Sequence, residues 1–146
     1  MLKILIAVDG SEHANRAIET AAKMAQSTVS LEACLISVRT GAILEPLFAN
    51  DYSMITLKKL DSEQEDRQTT VLNNAAQYAK DHGLTLGEPV RAHGNVAQEI
   101  VRIAKERQAD LIVMGTRGLS ALSGILLGSV AQKVLHDSSI PVVMVK

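Results

Sequence analysis

The sequence predicts an α/β fold: a single domain spanning residues 1–146, built on a doubly wound, five-stranded parallel sheet with helices on both faces. Three observations predict it. Short, nearly continuous apolar runs rich in Ile and Val, at residues 2–8, 31–38, 111–114 and 142–145, read as strands buried on both sides. Between them lie longer segments with apolar residues at helical spacing. The two kinds of segment alternate along the chain, as parallel strands joined by crossover helices must.

Each element has its own signals. The first strand ends at Asp9-Gly10-Ser11, a turn signal, and Ser11 is placed to cap a helix. Ala14, Ala17, Ile18, Ala21, Ala22 and Ala25 then give that helix a small apolar face that can sit close to a sheet. Cys34 falls inside the second strand and reads as a small core residue. Residues 39–60 contain Gly41 and Pro46 and have no apolar period, so they are expected to form a long loop. That loop is expected to be mobile without ligand and to cover a crevice. Ser62-x-x-Glu65 reads as a capping box opening a helix to about His82, with Val71, Leu72, Ala75, Ala76 and Ala79 as its buried stripe. Residues 84–92 make a weaker strand, interrupted by Gly87 and Pro89, that belongs at a sheet edge. Asn95-x-x-Gln98 is a second capping box, ahead of a helix burying Ala97, Ile100, Val101 and Ala104. After the strand at 111–114 come a Gly- and Ser-containing loop and a helix at about 129–136. Pro141 opens the last strand.

Composition narrows the function. The net charge is −1 and aromatic residues are 2% of the chain, so both the basic patch and the stacking platform of a nucleic-acid binder are missing. The one cysteine, Cys34, forms no internal disulfide and fits a reducing compartment. The apolar N-terminal run is too short for a membrane span and reads as a strand, so the expected setting is the cytoplasm, with no membrane partner. His13, His82, His93 and His136 are scattered without metal-ligand spacing, and no metal site is expected. No nucleophile–base pair stands out, and no catalytic residue is assigned.

The chemistry concentrates near the fourth strand. No Gly-x-Gly-x-x-Gly follows the first strand, and no Gly-x-x-x-x-Gly-Lys-Ser/Thr occurs, so neither the dinucleotide fingerprint nor the P-loop is present. The sequence does contain Met114-Gly115-Thr116-Arg117-Gly118, then nine residues, then Gly128-Ser129. Gly115 ends a strand and Gly128-Ser129 opens a helix. A helix N-terminus offers unpaired N–H groups and a partial positive charge, and glycine lets backbone approach an anion closely. The Ser129 hydroxyl and the Arg117 guanidinium add donors. The set points to phosphate, although any single glycine could simply terminate an element. Asp9 carries two readings, a turn residue capping the first helix or a ligand carboxylate beside the phosphate loop. Ser120 and Ser123 read as solvent-facing loop residues.

The spacing Gly115-x2-Gly118-x9-Gly128-Ser129 resembles the ATP-binding motif of universal stress proteins. The opening ILIAVDGSEHANRAI, His93-Gly94-Asn95 and residues 109–115 also resemble family segments, while 39–88 are least specific. The resemblance implies strand order 3-2-1-4-5 and a ligand at the switch point between strands 1 and 4. It implies that Ala7, Val8 and Val38 line an adenine pocket with Met114 near the base. Asp9 would hold the ribose, and Gly115, Arg117, Gly118, Gly128, Ser129 and Val130 would surround the phosphates. The expected ligand is ATP with Mg²⁺, with ADP or AMP as alternatives. The expected role is a regulatory stress-response protein, the alternative being a slow ATPase or autophosphorylating enzyme. In that order the last strand is an uncharged edge, which predicts a homodimer joined along it.

Overall fold

The computed structural model describes residues 1–40, 51–117 and 127–146, with residues 51–54 described by backbone alone. Along the chain run β1 (Leu2–Ala7), α1 (Glu12–Gln26), β2 (Leu31–Arg39), α2 (Asp51–Asp81), β3 (Val90–His93), α3 (Val96–Glu106), β4 (Leu111–Gly115), α4 (Ser129–Asp137) and β5 (Val142–Val145). The strands form one five-stranded sheet in the order β3-β2-β1-β4-β5, and every pairing is parallel.

Alternation along the strands divides the core between two faces. Ile4 and Ile6 of β1, Leu35 of β2 and Val113 of β4 pack with Ala17, Ile18 and Ala21 of α1 and Leu72, Ala75 and Ala79 of α2. Leu5, Ile36 and Ile112 point the other way, onto Ile100 and Ala104 of α3 and Val134 of α4. Burying each large aliphatic side chain fully contributes about 1.5–3 kcal/mol. The alanine stripe of α1 lets that helix lie directly on the central strands, as its spacing predicts.

Two helices begin at the caps expected of them. Ser11 Oγ accepts from the Ala14 N–H at 3.1 Å, and Asn95 Oδ1 accepts from the Gln98 N–H at 3.0 Å. Gly10, at φ +84, makes the turn into α1 in a conformation that favours glycine.

The third helix start is corrected. The Ser62–Glu65 tetrapeptide lies inside α2, which begins at Asp51 and runs for 31 residues. No Gly or Pro interrupts residues 51–61, and Leu57, Lys58, Lys59 and Leu60 are strong helix formers, so nothing stops the helix at Ser62. The expected 39–60 loop is thus helical over its last ten residues, while 41–50, with Gly41 and Pro46, lie outside the described residues.

The expected 84–92 strand is also shorter than anticipated. Leu86 makes a single bridge to Ala33, and the ladder proper starts at Val90 opposite Ile36. Ala33 to Ile36 is three steps and Leu86 to Val90 is four, so one residue is extra. Pro89, which has no N–H to donate, sits at that break. Among the described residues no helix is long and apolar enough to cross a membrane.

Candidate functional site

A cleft of about 750 Å³ lies at the carboxyl ends of the strands. It opens where the strand order reverses, with β2 on one side of β1 and β4 on the other. Crossovers leave such a point toward opposite faces, so a crevice forms there. Ala7, Val8 and Asp9 come to it from the end of β1, Val38 from β2, and Met114, Gly115 and Arg117 from β4 and the turn after it. Gly128, Ser129 and Val130 come from the start of α4. All the site residues expected from the sequence border this cleft except Gly118, which lies outside the described residues together with Ser120 and Ser123.

One end of the cleft is apolar. Ile36, Val38 and Met114 of the sheet face Val96 and Ile100 of α3 there. The Val8 side chain packs mainly into the core under α1 and α2. The β1–β2 ladder ends at the Ala7–Ile36 pair, after which the Val8 N–H donates to the Ile36 carbonyl at 2.9 Å. β2 continues to Arg39, paired from there only with β3. The Arg39 carbonyl accepts from the Gly94 N–H on the β3 side, so by alternation the Val38 N–H and C=O turn toward the β1 side. They stand beyond the last β1 partner and front the crevice, a donor and an acceptor at the rim of an apolar wall.

The other end is set up for an anion. The first intrahelical bond of α4 runs from the Gln132 N–H to the Gly128 carbonyl at 3.0 Å. The N–H groups of Ser129, Val130 and Ala131 therefore have no partner within the helix. Gly128 is the cap residue and has no side chain with which to satisfy them, unlike Ser11 on α1 and Asn95 on α3. The Gly128 N–H itself is used, donating to the Thr116 carbonyl at 2.6 Å. The donors facing the cleft thus begin at Ser129, where the helix dipole also favours negative charge.

The turn reading of Asp9 is borne out. Its Oδ1 accepts from the Ser11 N–H at 2.9 Å, which fixes the turn, and the exposed carboxylate has a second oxygen to offer at the cleft. Gly115 is glycine for a reason the sequence did not suggest. A Cβ there would stand 2.6 Å from His13 Cβ, so the bare backbone is what allows α1 to begin against the end of β4. Arg117 is half-buried at the cleft wall. Burial, then the charges of Arg16 and Arg117, hold the His13 imidazole below its ordinary value of 6.5, and Arg16 Nη2 lies 3.1 Å from His13 Nδ1.

Sequence reasoning missed several residues of the wall. Val96 and Ile100 sit on the apolar stripe of α3, and nothing in that stripe distinguishes core from cleft. Thr40 and Thr116 carry no pattern signal. Gln132 did carry one: it follows Gly128 by about one helical turn, which brings its side chain back over the helix start. Cys34 lies away from the cleft, half-buried, where burial pushes its thiol up and Sγ donates to the Glu88 carbonyl at 3.1 Å. Among the described residues no three His, Cys, Asp or Glu side chains gather as a metal site.

The chain matches the Universal stress protein family over residues 1–146. It is 31% identical over 147 residues to the universal stress protein YxiE of Bacillus subtilis, covering 99% of this chain and 98% of that one. The universal stress protein UspA from Lactobacillus plantarum superposes with a TM-score of 0.82 at 20% identity, covering 99% of this chain and 97% of that chain, a likeness of fold. A universal stress protein solved in complex with cAMP gives a TM-score of 0.67 at 26% identity, covering 99% of this chain and 96% of that chain. Agreement of motif, topology and relatives along the chain leads to one conclusion: the chain belongs to the universal stress protein family.

Proposed function

We propose that this chain is a regulatory module that binds an adenine nucleotide, ATP with Mg²⁺, in the cleft at the β1/β4 switch point. The observation that carries the proposal is the polarity of the cleft along its length. An apolar wall with the Val38 backbone at its rim lies at one end, and the uncapped start of α4 lies at the other. A nucleotide has the same order, a flat base, then a ribose, then an anion. The cleft volume of about 750 Å³ falls within the usual range for small-molecule sites. In this reading Ala7, Val8, Val38 and Met114 border the base and the second oxygen of Asp9 takes a ribose hydroxyl. Gly115, Arg117, Gly118, Gly128, Ser129 and Val130 surround the phosphates, whose charge brings the Mg²⁺. The relative solved with cAMP supports the adenine class. The proposal includes a cytoplasmic setting and a homodimer joined along β5.

The test is direct. The purified protein is denatured and any released nucleotide is identified by mass, and ATP affinity is then measured for wild type and Gly128→Asp. The backbone of Gly128, at φ −70 and ψ 165, suits any residue, and aspartate is a good helix cap. The new Cβ meets the Thr116 carbonyl oxygen at 3.3 Å, a contact that a small shift relieves. The variant is expected to fold with unchanged helix content and lose ATP binding, because its carboxylate occupies and repels the anion seat. A folded Gly128→Asp protein with wild-type ATP affinity would sink the phosphate assignment.

A further inference from the structure

The peptide joining Leu127 to Gly128 is held at both of its polar groups. Its N–H donates to the Thr116 carbonyl at 2.6 Å, and its C=O accepts from Gln132 Nε2 at 2.9 Å. Gln132 reaches this carbonyl from the first full turn of α4 and itself lines the cleft. The grip has a physical use. A peptide plane carries its N–H and C=O on opposite edges, and rotating it exchanges them. The rotation alters φ of the following residue, which here is Gly128, the one residue type that tolerates positive φ without cost. A glycine at this cap therefore leaves the preceding peptide free to turn over. Turned over, it would set the Leu127 carbonyl oxygen against the Thr116 carbonyl and give up both bonds, which loosens the turn that carries Ser129 and Val130.

We propose that Gln132 is a positioning residue that locks the Leu127–Gly128 peptide in the orientation that receives phosphate. The inference rests on the nucleotide reading of the cleft and adds a residue to it. Gln132 sets the seat through the backbone and does not touch the base end. Its removal raises the cost of phosphate binding and leaves the base and ribose contacts alone. Gln132 is exposed on a helix that buries Ala131 and Val134, so neither core nor sheet depends on it.

The experiment measures ATP and adenosine affinities for wild type, Gln132→Met and Gln132→Ala. Methionine keeps the length and helix propensity of glutamine and lacks the donor. The loss of one backbone-directed hydrogen bond corresponds to about a tenfold change in affinity. The expected result is ATP binding weakened about tenfold in both variants with adenosine binding unchanged. ATP affinity equal to wild type in both variants overturns the inference and leaves the nucleotide reading standing. Equal weakening of ATP and adenosine also overturns it, because that pattern marks general damage to the helix. A wild-type protein that binds no ATP overturns the nucleotide reading and the inference together.

Discussion

Gln68 lies in the middle of α2, 5% exposed, and its Nε2 donates to two carbonyls at once, Ser37 of β2 at 2.7 Å and Ala92 of β3 at 2.9 Å. Ser37 stands between Ile36 and Val38, which both line the cleft. One buried amide thus ties α2 across the β2–β3 seam. Gln68→Leu removes two donors while the carbonyls keep their places in the ladder, so it is expected to cost about 1–3 kcal/mol. Gln68→Glu at neutral pH is expected to cost more, because it sets carboxylate oxygens against two carbonyl oxygens in a buried site. Urea midpoints should fall in the order wild type, Leu, Glu, and equal midpoints for Leu and Glu would contradict the account. A residue of this kind is hard to read from sequence. Gln68 stands among polar neighbours on a helix, and only the approach of two strands shows that it faces inward. Gly115 is the converse case: its position at the cleft was legible, yet its immediate cause is the packing of His13.

Among the elements, α2 departs furthest from its sequence pattern. At about 1.5 Å per residue its 31 residues extend about 46 Å, while the longest strand, with nine residues, spans about 30 Å. The helix therefore outruns the sheet. Gln68, Leu72, Ala75 and Ala79 are buried, whereas Ile55, Leu60 and most residues from 55 to 67 are exposed. Arg39 ties the exposed half to the end of β2 through the Asp61 side chain and, at 3.2 Å, the Asp61 carbonyl. Exposed ion pairs contribute about 0–1 kcal/mol, which is little beside a buried stripe. Amide exchange across 55–61 is therefore expected to be much faster than across 68–79, and equal protection of the two halves would contradict this. The same contrast explains what the sequence disclosed. The strands and the other three helices were legible because each buries a stripe or begins at a side-chain cap. Residues 55–67 of α2 are mostly exposed and show no buried stripe, and their aperiodic apolar residues read as loop. The α3 side of the cleft's apolar end was hidden likewise, because Val96 and Ile100 differ from core residues only in what lies beyond them.

At the scale of the whole molecule the sheet has two edges, and they are managed differently. β3 carries Arg91 and His93, both exposed, and is entered through Pro89, features that discourage pairing. β5, Val142–Val145, has no charge and no interruption. Its orientation follows from two bonds. The Ile112 N–H donates to the Pro141 carbonyl at 2.9 Å, and the Thr116 N–H donates to the Val145 carbonyl at 2.8 Å. Odd-numbered residues of this segment thus face β4, so Val142 and Met144 turn their N–H and C=O groups to the open edge. Arg16 Nε donates to the Lys146 carbonyl at 2.7 Å and holds the strand's far end against α1. A second copy related by a two-fold axis through Val143 would run antiparallel and set Val142 opposite the partner's Met144, satisfying all four outward groups on each strand. We expect this homodimer in solution. Met144→Pro removes an outward donor and should give a monomer, whereas Met144→Leu should remain dimeric. Val143→Pro removes a donor that faces β4, so its main effect should be a lower thermal midpoint. Sedimentation of the three variants beside wild type separates these outcomes. A wild-type chain that stays monomeric at about tens of micromolar, the weak end for a functional dimer, would refute the pairing. A Met144→Pro protein that still dimerises would move the interface away from β5.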